Sequence, residues 1–175
     1  MYKTSASTYV YSPSDLIQYM SSPFASWMER LKIDHPEKVA GIPRDEDAMM
    51  GLLAQKGNVH ESEYLNQLIA QYGQANVAMI DRDAATASQK TKAAMAHGYE
   101  VIFQAYLERD AFKGYSDFLI KRPGKSALGD YYYEAWDTKL SKTTRPYFIV
   151  QLCCYSWMLE SIQGRLPEEV VVVLG

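Results

Sequence analysis

Apolar positions along the chain change period several times, and each change marks an element. In "YVYSPSDLIQYMSSPFASWMERL" the spacing predicts two short helices. Ser12 and Pro13 form a cap-then-proline start for the first, with Asp15 in its first turn and Leu16, Ile17 and Met20 on an apolar side. "SSPF" restarts the chain with Ser22 as cap and Pro23 at the first helical position. Residues 34–48 carry proline and charge and read as a loop. Helical spacing returns over 46–72 through Met49, Leu52, Leu53, Val59, Leu65, Leu68 and Ile69, with Gly57 as a weak point that makes one helix or two.

"VAMI" is a short strand, and the alanine-rich "AATASQKTKAAMAHG" a surface helix stopped by Gly98. Three strands follow, "YEVIFQAYLE", "FKGYSDFLIK" and "YYYEAWDTKL", with linkers "RDA" and "RPGKSALGD". "PYFIVQLCCYSWMLESIQG" is apolar nearly all round and reads as a buried helix. "EEVVVVLG" has no alternation and suits a central strand covered on both faces. Helices, then β-β-β, then helix, then β is an α/β layer with a mixed sheet. A chain that stops on such a strand is expected to be a fragment or the N-terminal domain of something longer.

Composition narrows the class. The 175 residues are 47% hydrophobic and 22% charged, enough for one domain with a real core. Net charge is −3, so nucleic-acid binding by bulk positive charge is excluded, and a polyanion would need a local basic strip or a metal. The only cysteines are the adjacent pair Cys153 and Cys154, read as small apolar fillers on a helix. With no signal peptide and no apolar run near twenty residues, the expectation is a cytoplasmic protein with no membrane contact.

The chemistry concentrates in two strands. Asp137 and Lys139 are two apart, so a strand points both to one face. Glu134, five from Lys139, falls on the other face. A hairpin that aligns Asp117 with Asp137 brings two carboxylates together beside Lys139. Crowded like charges are costly unless a cation neutralises them, and all-oxygen ligands suit Mg2+ or Mn2+. The bland alternative for Lys139 is a solvated strand end paired with Asp137. Gln104, on the preceding strand, could face the same site without a chemical requirement for it. His35 and His97 are expected in solvent.

"GYSD" followed by "WDTK" resembles the PD-(D/E)xK nuclease core. "QLCCY" is similar to the Q-x-x-x-Y motif of RecB-like nucleases, and "KGNVHE" offers His60 where that branch has an upstream histidine. The opening "YSPSDLIQYMSSPF" also resembles the start of RecB-like domains, so the likeness spans nearly the whole chain. The wording is similar to bacterial RecB-like nucleases that precede a superfamily 1 helicase. The resemblance implies a restriction-endonuclease-like core over 46–175 with a helical lead-in over 1–45, forming one domain.

It further implies catalytic Asp117, Asp137 and Lys139, and a metal held by His60, Asp117, Asp137 and the Thr138 carbonyl. Gln151 and Tyr155 would contact DNA; core polarity explains them equally well. Lys142 and Arg145, with Lys121, Arg122 and Lys125, would supply the local positive surface. The implied activity is a metal-dependent deoxyribonuclease acting on single strands or ends in DNA repair, with a covalently attached helicase as partner. A RecB-like DNA-binding module that has lost its chemistry is the alternative, and an unrelated α/β domain with accidental motifs a third. Iron–sulphur members have Cys-Pro in the opening segment and three late cysteines. Ser22-Pro23 stands here instead, so no iron–sulphur cluster is expected.

Overall fold

A computed structural model describes residues 1–41, 48–83 and 85–175. Part of the loop expected over 34–48, the start of the helical stretch before residue 48 and the side chain of Met49 lie outside the described residues. Tyr2–Lys3 (β1) and Tyr9–Val10 (β2) form a small antiparallel pair. Pro13–Ser21 (α1) and Pro23–Asp34 (α2) follow, and α1 packs against both α2 and the later core helix. The predicted starts are realised in detail. Ser12 and Asp15 cap each other reciprocally, and Ser22 Oγ accepts the Ala25 N–H at 3.1 Å. Each such cap contributes about 1 kcal/mol. Of the apolar side expected on α1, Leu16 packs on the core while Met20 is exposed.

Ala48–Tyr72 (α3) is one helix that runs unbroken through Gly57, whose cost of about 1 kcal/mol the rest of the helix absorbs. Val77–Met79 (β3) leads to Ala87–His97 (α4), which ends at Gly98 in the left-handed conformation. Val101–Arg109 (β4), Phe112–Ser126 (β5) and Gly129–Lys139 (β6) form an antiparallel meander. The linker expected over 122–130 is almost absent. Both strands run through it, with a register irregularity between Pro123 and Ser126 that accommodates the proline and leaves only Ala127 and Leu128 as the turn.

Pro146–Gln163 (α5) crosses over to Val171–Leu174 (β7), giving a mixed sheet of order β3-β4-β5-β6-β7. The last strand is therefore not central. Since β5 already holds one side of β6, the crossover returns the chain parallel to the other side, at the sheet edge, where β7 is half-buried. Nor is α5 buried all round. Phe148, Leu152, Tyr155, Met158 and Leu159 face the sheet, while Tyr147, Ile149 and Cys153 are exposed. Cys154 fits the filler reading and Cys153 does not. His35 and His97 are exposed as expected.

Helices cover both faces of the sheet. α4 and α5 pack on Ile102, Leu107, Leu119, Tyr133 and Ala135. α3 places Leu65 and Leu68 against Val101, Phe118 and Ile120. Glu134, on this second face as its spacing predicts, is buried and pairs with Arg122 at 2.9 Å. Among the described residues, no helix is long and apolar enough to cross a membrane.

Candidate active site across β4, β5 and β6

Strand register sets the site. Phe118 pairs with Trp136 and Leu119 with Ala135, so one step further the same register brings Asp117 opposite Asp137. On the other side Phe103 pairs with Phe118 and Ala105 with Ser116, which sets Gln104 opposite Asp117. Alternation places Asp117, Asp137 and Lys139 on the α5 side, the side of Leu119, Tyr133 and Ala135.

Gln104 adopts φ +56°, a left-handed conformation that is uncommon for a residue with a side chain. Its consequence is visible in the packing: Ile102 and Ala105, three apart, join one core cluster, whereas Phe103 joins the other. The Gln104 amide meets α3 and the β3–α4 connection: its Nε2 donates to Glu61, and its Oε1 accepts from Arg82 Nε at 3.0 Å and Nη2 at 2.6 Å.

The two aspartates are held differently. Asp117 Oδ2 accepts the Thr138 N–H at 3.0 Å and the Thr138 hydroxyl at 3.2 Å. Asp137 is nearly enclosed, with 2% of its side chain exposed, and its Oδ2 lies 2.6 Å from Lys139 Nζ. That ion pair is close but not aligned as a hydrogen bond, and Oδ2 has no hydrogen-bond partner among the described residues. Burial first, and the Asp117 charge second, push the Asp137 pKa up to about 7, against the opposing pull of Lys139. A carboxyl with that value is poised between acid and base at neutral pH.

Glu61 belongs to the same group of charges, and sequence reasoning missed it. Its pKa is raised by burial and then by the charge of Asp117, while Gln104, Arg82 and Lys139 pull it down. The available signal was its place beside His60 in "NVHE", one residue round the helix from the position chosen. His60 itself lies against β7, with Nε2 3.5 Å from the Val173 carbonyl oxygen.

On α5, Tyr155 is buried and donates its hydroxyl to the Tyr115 carbonyl oxygen at 2.6 Å. Burial raises its pKa, with Gln151 acting against the rise and both aspartates adding to it, so this tyrosine adjoins the acids as a neutral phenol. Gln151 is half-buried beside it. Lys142 and Arg145 are exposed in the β6–α5 connection. Lys121 and Arg122 are engaged elsewhere, with Glu100 at 2.8 Å and Glu134 at 2.9 Å, and so do not extend that positive strip.

Among the described residues, no three His, Cys, Asp or Glu side chains gather closely enough to enclose a metal ion. The donor chemistry still suits a hard divalent cation: two facing carboxylates, one with an unpartnered buried oxygen, and a third carboxylate within electrostatic reach. Asp117 and Asp137 are the residues that would hold it. Comparison with protein-family models, with curated proteins and with solved structures finds no match for this chain.

Proposed function

We propose that the chain is a metal-dependent deoxyribonuclease of the PD-(D/E)xK, RecB-like kind, with a restriction-endonuclease-like core. The single observation that carries this reading is Asp117 standing opposite Asp137, with Lys139 on the Asp137 strand face at 2.6 Å. Asp117 and Asp137 would hold Mg2+ or Mn2+, with the Thr138 carbonyl and His60 as further ligands. The ion would polarise a phosphodiester oxygen and lower the pKa of a bound water. Lys139, released from Asp137, would orient that water or stabilise charge developing on the phosphate. Gln151, Tyr155, Lys142 and Arg145 would contact DNA. Single strands or ends produced in DNA repair are the proposed substrates, an attached helicase the proposed partner and the cytoplasm the proposed place of action.

The test is a cleavage assay on linear single-stranded, linear duplex and closed circular DNA with Mg2+, Mn2+ or chelator. Wild type is compared with Asp137→Ala and Lys139→Ala. Metal-dependent cleavage that disappears in both variants supports the reading; metal-independent or variant-insensitive cleavage refutes it.

One observation favours a second reading, a DNA-binding module without catalysis. Lys139 occupies the Asp137 oxygen that an ion needs, and three ligands are not gathered round one point among the described residues. DNA binding with no cleavage under any metal would select this alternative.

A further inference from the structure

Away from the acids, the helical lead-in encloses a cavity of about 290 Å³. It is walled by Tyr11 before α1, Leu16 and Tyr19 of α1, Ser26 and Arg30 of α2, and Phe112 at the start of β5. Its volume is near the lower bound of small-molecule pockets, about 300 Å³. None of these residues belongs to those assigned above to metal or DNA. Three walls are aromatic. The Tyr11 and Phe112 rings are 5.7 Å apart and tilted by 35°. Backbone bonds of 2.8 Å, from the Tyr11 N–H to the Ala111 carbonyl oxygen and from the Lys113 N–H to the Tyr11 carbonyl oxygen, hold them together. Tyr19 is exposed and so belongs to the rim.

The charges around the cavity are already matched. Arg30 Nε donates to Asp34 at 2.9 Å, Nη1 donates to the Tyr11 hydroxyl at 3.2 Å, and the guanidinium stacks 3.0 Å from the Tyr9 ring centroid. Asp15 and the Met1 ammonium, which also line the cavity, pair with each other at 2.6 Å. Ser26 differs from them. It is 8% exposed, and its Oγ is buried with no hydrogen-bond partner among the described residues. A helix serine often returns its hydroxyl to the carbonyl four residues back. Here the Ser22 carbonyl oxygen accepts the Ser26 N–H at 3.2 Å and not the hydroxyl. The Ser26 hydroxyl is left with both its donor and its acceptor unused.

We infer that this cavity binds a small uncharged aromatic molecule, of the size of phenol or indole, that hydrogen-bonds Ser26 Oγ. The inference is independent of the nuclease reading. Aromatic walls favour a flat ring, packed edge to face or offset against them. With Arg30 and Asp15 already paired, a charged ligand would lose its water without gaining a counter-charge. A ring that carries one polar group satisfies the hydroxyl and covers the apolar walls together. Because those walls belong to α1, α2 and β5, a bound ring ties the lead-in to the strand that carries Asp117, and stabilises the folded chain by mass action.

The test titrates phenol, indole, toluene and benzoate into the protein, reads binding by saturation-transfer NMR and records the melting temperature at millimolar probe. Variants are Ser26→Ala, which removes the hydroxyl, and Ser26→Leu, which fills the cavity, each first checked by thermal melting without ligand. Phenol and indole are expected to bind wild type and raise its melting temperature, toluene to bind more weakly and benzoate not to bind. Ser26→Ala should weaken phenol binding by roughly threefold to tenfold and leave toluene binding unchanged. Ser26→Leu should abolish both; the alanine variant serves alone if the leucine variant does not fold. Equal binding of phenol and toluene, phenol affinity unchanged in folded Ser26→Ala, or no binding of phenol and indole to wild type each overturns the assignment. None of these readouts involves DNA or metal, so their failure leaves the nuclease reading as it stood.

Discussion

Lys139 Nζ lies 2.6 Å from Asp137 Oδ2, at a carboxylate only 2% exposed, yet the contact is not aligned as a hydrogen bond. Two apart on one strand, the two side chains point to the same face, which is why they meet. The lysine charge offsets that of the acid, opposing the rise in its pKa that burial and Asp117 cause.

Asp137 makes stability depend on pH. The folded state holds its proton up to about pH 7, whereas an unfolded aspartate releases it near pH 4. Between those values the folded state binds more protons, so this group's contribution to stability falls as pH rises from about 4 to about 7 and is flat above that. The loss is a few kcal/mol at most. Thermal melts of metal-free protein at pH 5 and pH 8 should show a smaller difference for Asp137→Asn than for wild type. Added Mg2+ should raise the melting temperature of wild type at pH 8 and not that of the variant.

Glu61→Gln should keep the fold, because Glu61 is half-buried and its partner Gln104 can hydrogen-bond an amide as well as a carboxylate. It removes a charge that Asp117 repels. The expected outcome is a weaker apparent affinity for Mn2+, read by titration calorimetry, with a melting temperature in chelator equal to or above that of wild type.

Gln104 carries a left-handed backbone that costs a non-glycine residue about 1 kcal/mol. Gln104→Gly relieves this cost and Gln104→Ala does not, while both remove the bridge from Arg82 to Glu61. Chemical denaturation should therefore find the glycine variant more stable than the alanine variant by about 1 kcal/mol, against the usual ranking inside a strand.

Gly114→Ala should destabilise the protein by about 1–3 kcal/mol. Its new methyl would sit 2.9 Å from Pro13 Cδ and 3.3 Å from the Tyr155 ring and hydroxyl, so α1 or α5 must shift. An urea midpoint equal to that of wild type would contradict the packing described for these two helices.

Much of this arrangement is legible in the residues. Proline and serine at two helix starts, glycine at two helix ends and period-two alternation around Asp137 are local signals, read from neighbours within a turn or a strand. Local chemistry explains why the caps, the continuous run of α5 and the shared face of Asp137 and Lys139 agree with the structure. The 122–130 stretch misled because proline and glycine signal a turn wherever they occur, and only pairing with β6 reveals a strand that tolerates them.

What the sequence by itself determined is therefore the order of elements and the chemistry offered at each: an acid on one strand, an acid and a lysine on the next. Register, which the hairpin turn and the side-chain packing of both faces set together, decided that Asp117 would meet Asp137. Tertiary structure alone decided the rest. The crossover of α5 put β7 at an edge, and the packing of α3 on the sheet put Glu61 within the electrostatics of the acids. Contacts between residues 43 and 56 positions apart along the chain have no periodic signature, because they depend on how whole layers stack and not on which residues are neighbours.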